Sequence, residues 1–153
     1  MEIRPAREED APAICDVVRR SIVALCEADH RSDPEILELW LANKTPETVE
    51  RWLANPNNIN LVATEAGRII AAGAVTVGGE IILNYVSPEA RFRGVSLAMV
   101  AALEDGARQA GNSICRLDST ATAVRFYRRA GYSDAGPPGE KHGMPTYPMT
   151  KTL

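Results

Sequence analysis

A chain of 153 residues is long enough for one good hydrophobic core and too short for two ordinary domains. Its 45% hydrophobic and 24% charged residues are the usual balance of a globular protein. A formal net charge of -3 excludes a general attraction to nucleic acid or to anionic membranes, so any polyanion must be met by a local basic cluster.

In chain order, Glu2, Ile3 and Arg4 predict a short first strand ended by Pro5. Glu8, Glu9 and Asp10 supply the negative charge suited to a helix N-terminus, where Pro12 is tolerated in the first turn. Ile14, Val17, Val18, Ile22 and Leu25 recur at helical spacing and predict an amphipathic helix ending near Asp29 and His30. The opening MEIRPAREED has no apolar h-region, and no stretch approaches the length of a membrane span; a cytoplasmic, non-membrane protein is expected. Cys15, Cys26 and Cys115 lack metal-ligand spacing and are expected as small buried residues, with no metal site.

Asp33-Pro34 and Thr45-Pro46 each join an N-cap to a proline at the first helical position. The helices they open carry Ile36, Leu37, Trp40 and Leu41, then Val49, Trp52 and Leu53, with both tryptophans expected in the core. Residues 55–58 close the second helix as a loop. The pattern then changes to strands over 61–65, 68–77 and 80–86, joined at Ala66-Gly67 and Gly78-Gly79 as a three-strand antiparallel meander. The last of these is almost continuously apolar, as expected when both faces are covered. A helix over 95–110, a strand over 113–117 and a helix over 121–130 follow. Residues 135–139 are a turn-rich loop, and 146–152 a terminal edge strand despite Pro148. With no repeat or low-complexity block, one α+β domain over residues 1–153 is expected.

Residues 91–96, Arg-Phe-Arg-Gly-Val-Ser, lie between the apolar strand and the start of a helix. A helix N-terminus presents unpaired N–H groups and a partial positive charge, which together bind phosphate oxygens. Gly94 lets the backbone approach such a ligand, Ser96 keeps the first turn uncrowded, and Arg91 and Arg93 can add charge-assisted bonds. No G-x-x-x-x-G-K-[ST] and no G-x-G-x-x-G with a following acidic residue is present, so nucleotide hydrolysis and dinucleotide redox chemistry lack their parts.

This stretch resembles the acyl-CoA signature of the GNAT superfamily, V-x-P-x-x-R/Q-x-x-G-x-G/A, matched by Val86, Pro88, Arg91, Gly94 and Ser96. Ser96 departs from the usual glycine or alanine but is also small. A second stretch resembles the pattern N-x-x-A/V-x-x-F-Y-x-x-x-G-F/Y, matched by Ala123, Phe126, Tyr127, Gly131 and Tyr132. The opening asparagine is absent; Ser119, Thr120 and Thr122 stand in its neighbourhood. The resemblance covers essentially the whole chain. It implies an α+β, three-layer GNAT-type fold, with a mixed, mostly antiparallel twisted sheet opening as a V and flanked by helices.

The resemblance further implies an N-acetyltransferase with acetyl-CoA as co-substrate. Residues 91–96, including Phe92 and Val95, are expected at the pyrophosphate. Backbone groups around Asn84, Tyr85 and Val86, with Ser119 and Thr122, are expected along the pantetheine and at the thioester carbonyl. Tyr127 is expected to protonate the departing thiolate. A carboxylate must deprotonate the attacking amine, and Glu80 is the first candidate and Asp118 the second. The acceptor would be a primary amine of a small molecule, amino acid or peptide, met by segments that carry His30, Trp40, Trp52, His142 and Met144. The turn over 136–143 is expected as a lid or a homodimer contact. Two other readings are a CoA-binding sensor or interaction domain without efficient transfer, and an RNA-binding module using Arg125, Arg128 and Arg129, which the charge balance opposes.

Overall fold

The computed structural model describes residues 1–153. In chain order the elements are β1 (Glu2–Pro5), α1 (Ala11–Leu25), α2 (Glu27–His30), α3 (Pro34–Leu41), α4 (Pro46–Ala54), β2 (Asn58–Glu65), β3 (Arg68–Thr76) and β4 (Ile81–Val86). They continue with α5 (Val95–Gln109), β5 (Ile114–Ser119), α6 (Val124–Arg129), β6 (Ser133–Asp134), β7 (Gly139–Lys141) and β8 (Met144–Thr152). No helix is long and apolar enough to cross a membrane.

Both predicted proline caps are present. The Asp33 carboxylate accepts from Glu35 N–H at 2.9 Å and from Ile36 N–H at 3.5 Å, and Thr45 Oγ1 accepts from Thr48 N–H at 3.2 Å, so each helix starts with at least one of its orphan donors satisfied. The predicted first helix, by contrast, breaks at Cys26, whose φ of -106° and ψ of 28° leave the helical region. The cause is His30: its ring Nε2 lies 2.9 Å from the Ile22 C=O and its Nδ1 accepts from Ser32 N–H, so the chain folds back under the last turn of α1. His30 is thereby buried at 1% exposure within the short helix α2, and does not stand at the end of a continuous first helix as the spacing predicts.

β1 to β4 form one antiparallel sheet in sequence order, and β5, β8 and β6 form a second, with β7 pairing the start of β8. β8 is therefore an inner strand and not the expected edge. Pro148 is tolerated because its C=O accepts from Ala135 N–H at 2.8 Å, just where β6 has run out. N–H and C=O of one residue point to the same side of a strand, so its missing donor falls at that end and leaves the β5 ladder intact. The expected turn-rich loop over 135–139 gives way in part to β7, and β2 starts at Asn58, inside the expected loop.

Helices cover both faces of the first sheet. β3 turns Ala71 and Val75 toward α5 and Ala72 toward α1, and these small residues let both helices approach closely. At Gly73 an added Cβ would lie 2.8 Å from Met99 Cγ. The α5 side is a core of Met99, Val100, Leu103, Leu117, Tyr127 and Met149; the α1 side holds Ile14, Val18, Ile22, Trp40 and Val49 with Cys15 and Cys26. The arrangement is the expected α+β sandwich of helices on a mostly antiparallel sheet.

The two sheets touch along β4 and β5 at one parallel bridge, Glu80 with Arg116, where Arg116 N–H donates to the Gly79 C=O at 2.9 Å. Gly79 has φ +89°, and a Cβ there would lie 2.7 Å from the backbone oxygen of Ile114. Gly79→Ala should therefore cost about 2 to 3 kcal/mol, a fall in Tm of roughly 4 to 12 °C on thermal denaturation. Gly78→Ala, whose Cβ would meet only Thr76 Oγ1 at 3.7 Å, should change stability by less than about 1 kcal/mol.

Candidate active site

Past the Glu80–Arg116 bridge β4 and β5 diverge, and between them lies a mostly apolar cleft of about 530 Å³. Its walls are β4, the end of β5, the N-terminus of α5 and one face of α6, and Ser21, Leu25 and Cys26 of the α1 end close it from below. Ser87 N–H donates to Ile70 C=O, and antiparallel pairs alternate, so the Tyr85 and Leu83 backbone groups also face β3. The N–H and C=O groups of Asn84 and Val86 then face the cleft, where no strand receives them.

The N-terminus of α5 opens on the same cleft. Gly94, at φ +78°, is its N-cap, and the first helical bond runs from Ala98 N–H to Gly94 C=O at 3.1 Å. The N–H groups of Val95, Ser96 and Leu97 precede that bond and have no intrahelical partner. A Cβ on Gly94 would find nothing within 4 Å, so the cradle in front of these donors is open. Arg91 lines the cleft with its guanidinium 4.3 Å from the centre of the Phe92 ring, and Phe92 is 88% exposed. Arg93 does not reach the cleft, because its guanidinium pairs with Glu65.

Tyr127 stands across the cleft from β4. Edge-on contacts with Phe126 and Tyr132, at centroid distances of 5.1 and 5.6 Å, fix its ring. Its Oη accepts from Asn84 Nδ2 at 3.2 Å. Burial pushes the Tyr127 phenol up and keeps it protonated at neutral pH, and its O–H has no acceptor in the protein. The neighbouring Asn84 Oδ1 is buried and unpartnered as well, so the cleft contains both an unused donor and an unused acceptor.

Of the residues expected at the site, Asn84, Tyr85, Val86, Arg91, Phe92, Gly94, Val95, Ser96, Ser119, Thr122 and Tyr127 all line this cleft. Two of them have their hydroxyl protons engaged: Ser119 donates to the Thr120 C=O at 2.8 Å, and Thr122 donates to Asp29. Glu80 is not on the cleft wall. It sits at the closed end of the β3–β4 hairpin, where its N–H donates to Thr76 Oγ1 and its C=O accepts from Thr76 N–H. A bulge that skips Ile82 in the pairing with β3 takes Glu80 out of the alternation that turns the Asn84 side chain toward Tyr127. Asp118, the second carboxylate considered from sequence, does line the cleft.

Asp29 and Cys26 are the residues whose roles the sequence did not disclose. Asp29, 5% exposed, accepts from Ala121 N–H at 2.6 Å, from Thr122 N–H at 3.2 Å and from the Thr122 hydroxyl. It ties α2 to the β5–α6 turn, and α6 begins after that turn, at Val124. The Cys26 thiol lines the cleft, but burial pushes its pKa up to about 12, which leaves it a poor nucleophile.

Residues 27–153 match the family model described as an acetyltransferase (GNAT) domain. The chain is 34% identical over 87 residues to an IAA acetyltransferase of Azospirillum brasilense; the match spans 52% of this chain and 57% of that protein, a little over half of its length. The fold superposes on a GCN5-related N-acetyltransferase from Rhodopseudomonas palustris with a TM-score of 0.88 and 26% identity, over 99% of this chain and 95% of that one. It also superposes on the PaiA N-acetyltransferase of Thermoplasma acidophilum, solved with coenzyme A, with a TM-score of 0.83 and 19% identity over 99% and 98% of the two chains.

Asp29→Ala would leave two N–H groups and a hydroxyl without their acceptor. Its expected cost is about 2 to 3 kcal/mol, seen as a lower midpoint in urea with an unchanged m-value. Asp29→Asn, which keeps one acceptor oxygen, should recover part of that loss.

Proposed function

The chain belongs to the acetyltransferase (GNAT) domain family, and on that premise we propose that it moves an acetyl group from acetyl-CoA to a primary amine of a small molecule, amino acid or peptide. The observation that carries this reading is the meeting of three complementary parts in one cleft. These are the free N–H groups of the α5 N-terminus, the unpaired edge of β4 at Asn84 and Val86, and the protonated Tyr127 phenol.

Each part has a task in acyl transfer. The α5 N-terminus and Arg91 hold the pyrophosphate, where several N–H donors and a guanidinium share its charge. The edge of β4 matches the amide-rich pantetheine arm, and an N–H aimed at the thioester oxygen stabilises the charge that develops there as the amine attacks. One such donor contributes about 3 to 4 kcal/mol to rate. As the C–S bond breaks, Tyr127 gives its proton to the leaving sulfur, and the bond from Asn84 Nδ2 to its Oη keeps the phenol in place at the cleft. Asp118 takes the proton from the amine, directly or through one water. Attack is direct within the ternary complex: the buried Cys26 thiol stays protonated, and the cost of bringing two substrates together is met by binding both on the one domain.

The test is a transfer assay with acetyl-CoA and a broad amine panel. Turnover is expected with at least one amine class; tight acetyl-CoA binding with no turnover across the panel would instead identify a CoA-binding sensor or interaction domain. Tyr127→Phe should lower kcat by roughly 10² to 10³ while leaving acetyl-CoA affinity intact. Because the acid form of Tyr127 is the active one and its pKa is raised, activity owed to it should persist through pH 9 and be lost only above its ordinary range near 10. Gly94→Val should abolish acetyl-CoA binding by filling the cradle and straining a left-handed residue.

A further inference from the structure

A second cavity, of about 250 Å³, lies on the other face of β4. The two cavities share Ile82, Leu83 and Tyr85 in their walls, so a molecule seated in the second reaches the first along the same strand. Its flat walls are Trp40, Trp52 and Tyr85, and its only charged groups are Lys44 and Lys141.

The chain has three lysines. Lys151 is paired with Glu104, whereas Lys44 and Lys141 make no ion pair. Lys44 is only 8% exposed, and its ammonium bonds a neutral partner, Asn43 Oδ1, at 2.7 Å. It is also anchored, since its C=O accepts from Arg19 Nη1 at 2.9 Å and from Cys15 Sγ at 3.2 Å. Lys141 comes to the same cavity from the β7–β8 hairpin. Burial, and then the charge of Lys141, pull the Lys44 pKa down to about 8, and burial, then the charges of Lys141 and Lys44, lower that of His142. A buried cation without a counter-ion is unfavourable, and an anion placed between the two lysines would relieve it.

Accepting the acetyl-transfer reading above, we propose that the acceptor is a small amine bearing a carboxylate and a flat apolar body, of the aromatic amino-acid type. Lys44 and Lys141 hold its carboxylate, and Trp40, Trp52 and Tyr85 hold its body. The cavity lies below the usual size for drug-sized ligands, which suits a free amino acid rather than a peptide chain. Its charge repels polycationic amines, so polyamines and aminoglycosides are disfavoured acceptors.

The test compares matched acceptors at saturating acetyl-CoA: phenylalanine with phenethylamine, tryptophan with tryptamine, and spermidine and kanamycin as polycations. The carboxylate member of each pair should show at least a tenfold higher kcat/KM, and the polycations the lowest values. Lys141→Gln, a change at an exposed hairpin, should raise KM for phenylalanine and tryptophan about tenfold without altering KM for acetyl-CoA, and so narrow or close the gap to the decarboxylated amines. Lys44→Met should do the same more strongly, and if that variant does not fold, Lys141→Gln decides. Equal rates for both members of each pair, faster transfer to spermidine, or unchanged selectivity in Lys141→Gln would overturn the proposal. If no amine is acetylated, phenylalanine binding by calorimetry separates the two ideas. Binding weakened by Lys141→Gln upholds the lysine pocket while transfer fails, and no binding refutes the pocket as well.

Discussion

β4 and β5 run side by side for one bridge and then part, and most of what is distinctive about this molecule follows from that divergence. A strand in the middle of a sheet has its backbone groups satisfied on both edges, whereas β4 past Glu80 has a partner on β3 alone. Buried N–H and C=O groups left unpaired are costly, so an open edge inside a fold persists only where water or a ligand completes it. Gly79 holds the vertex, since its left-handed backbone lets the chain pass within reach of Ile114. Asp29 holds the opposite wall by taking the N–H groups of the β5–α6 turn. The cleft is thus braced at its closed end and along its far side, and the donors of α5 stand at its mouth.

β4 also divides two environments of different chemistry. Alternation sends the Asn84 side chain to Tyr127 and the Tyr85 side chain toward the tryptophans under α3 and α4. On the first side lie a helix N-terminus, a guanidinium and a phenol that keeps its proton, which suit a phosphorylated thioester. On the second lie two lysines without counter-ions between aromatic walls, in a chain whose overall charge is negative. The second side departs from the overall charge, and the sign of that local field is the one the proposed carboxylate-bearing acceptor requires.

Much of this was legible in the residues. Asp33-Pro34, Thr45-Pro46 and the two turn signals mark where elements begin, and each acts through bonds within a few residues of itself. The cradle was legible for the same reason, since Gly94 and the helix after it form a local motif. What escaped depends on distant partners. Arg93 is held away from the cleft by Glu65, and His30 breaks a helix by turning back to Ile22. Asp29 binds residues more than ninety positions later, and Lys44 meets Lys141 only through the folded sheet. That Asp118 lines the cleft and Glu80 does not goes with a bulge at Ile82, which a uniformly apolar strand does not advertise.

Thermal denaturation with and without acetyl-CoA tests most directly whether the space between β4 and β5 receives that compound. At a hundredfold excess over its dissociation constant a ligand adds about 2.7 kcal/mol of apparent stability. For a domain of this size the midpoint should rise roughly 5 to 10 °C. A midpoint unchanged at saturating acetyl-CoA would contradict that placement.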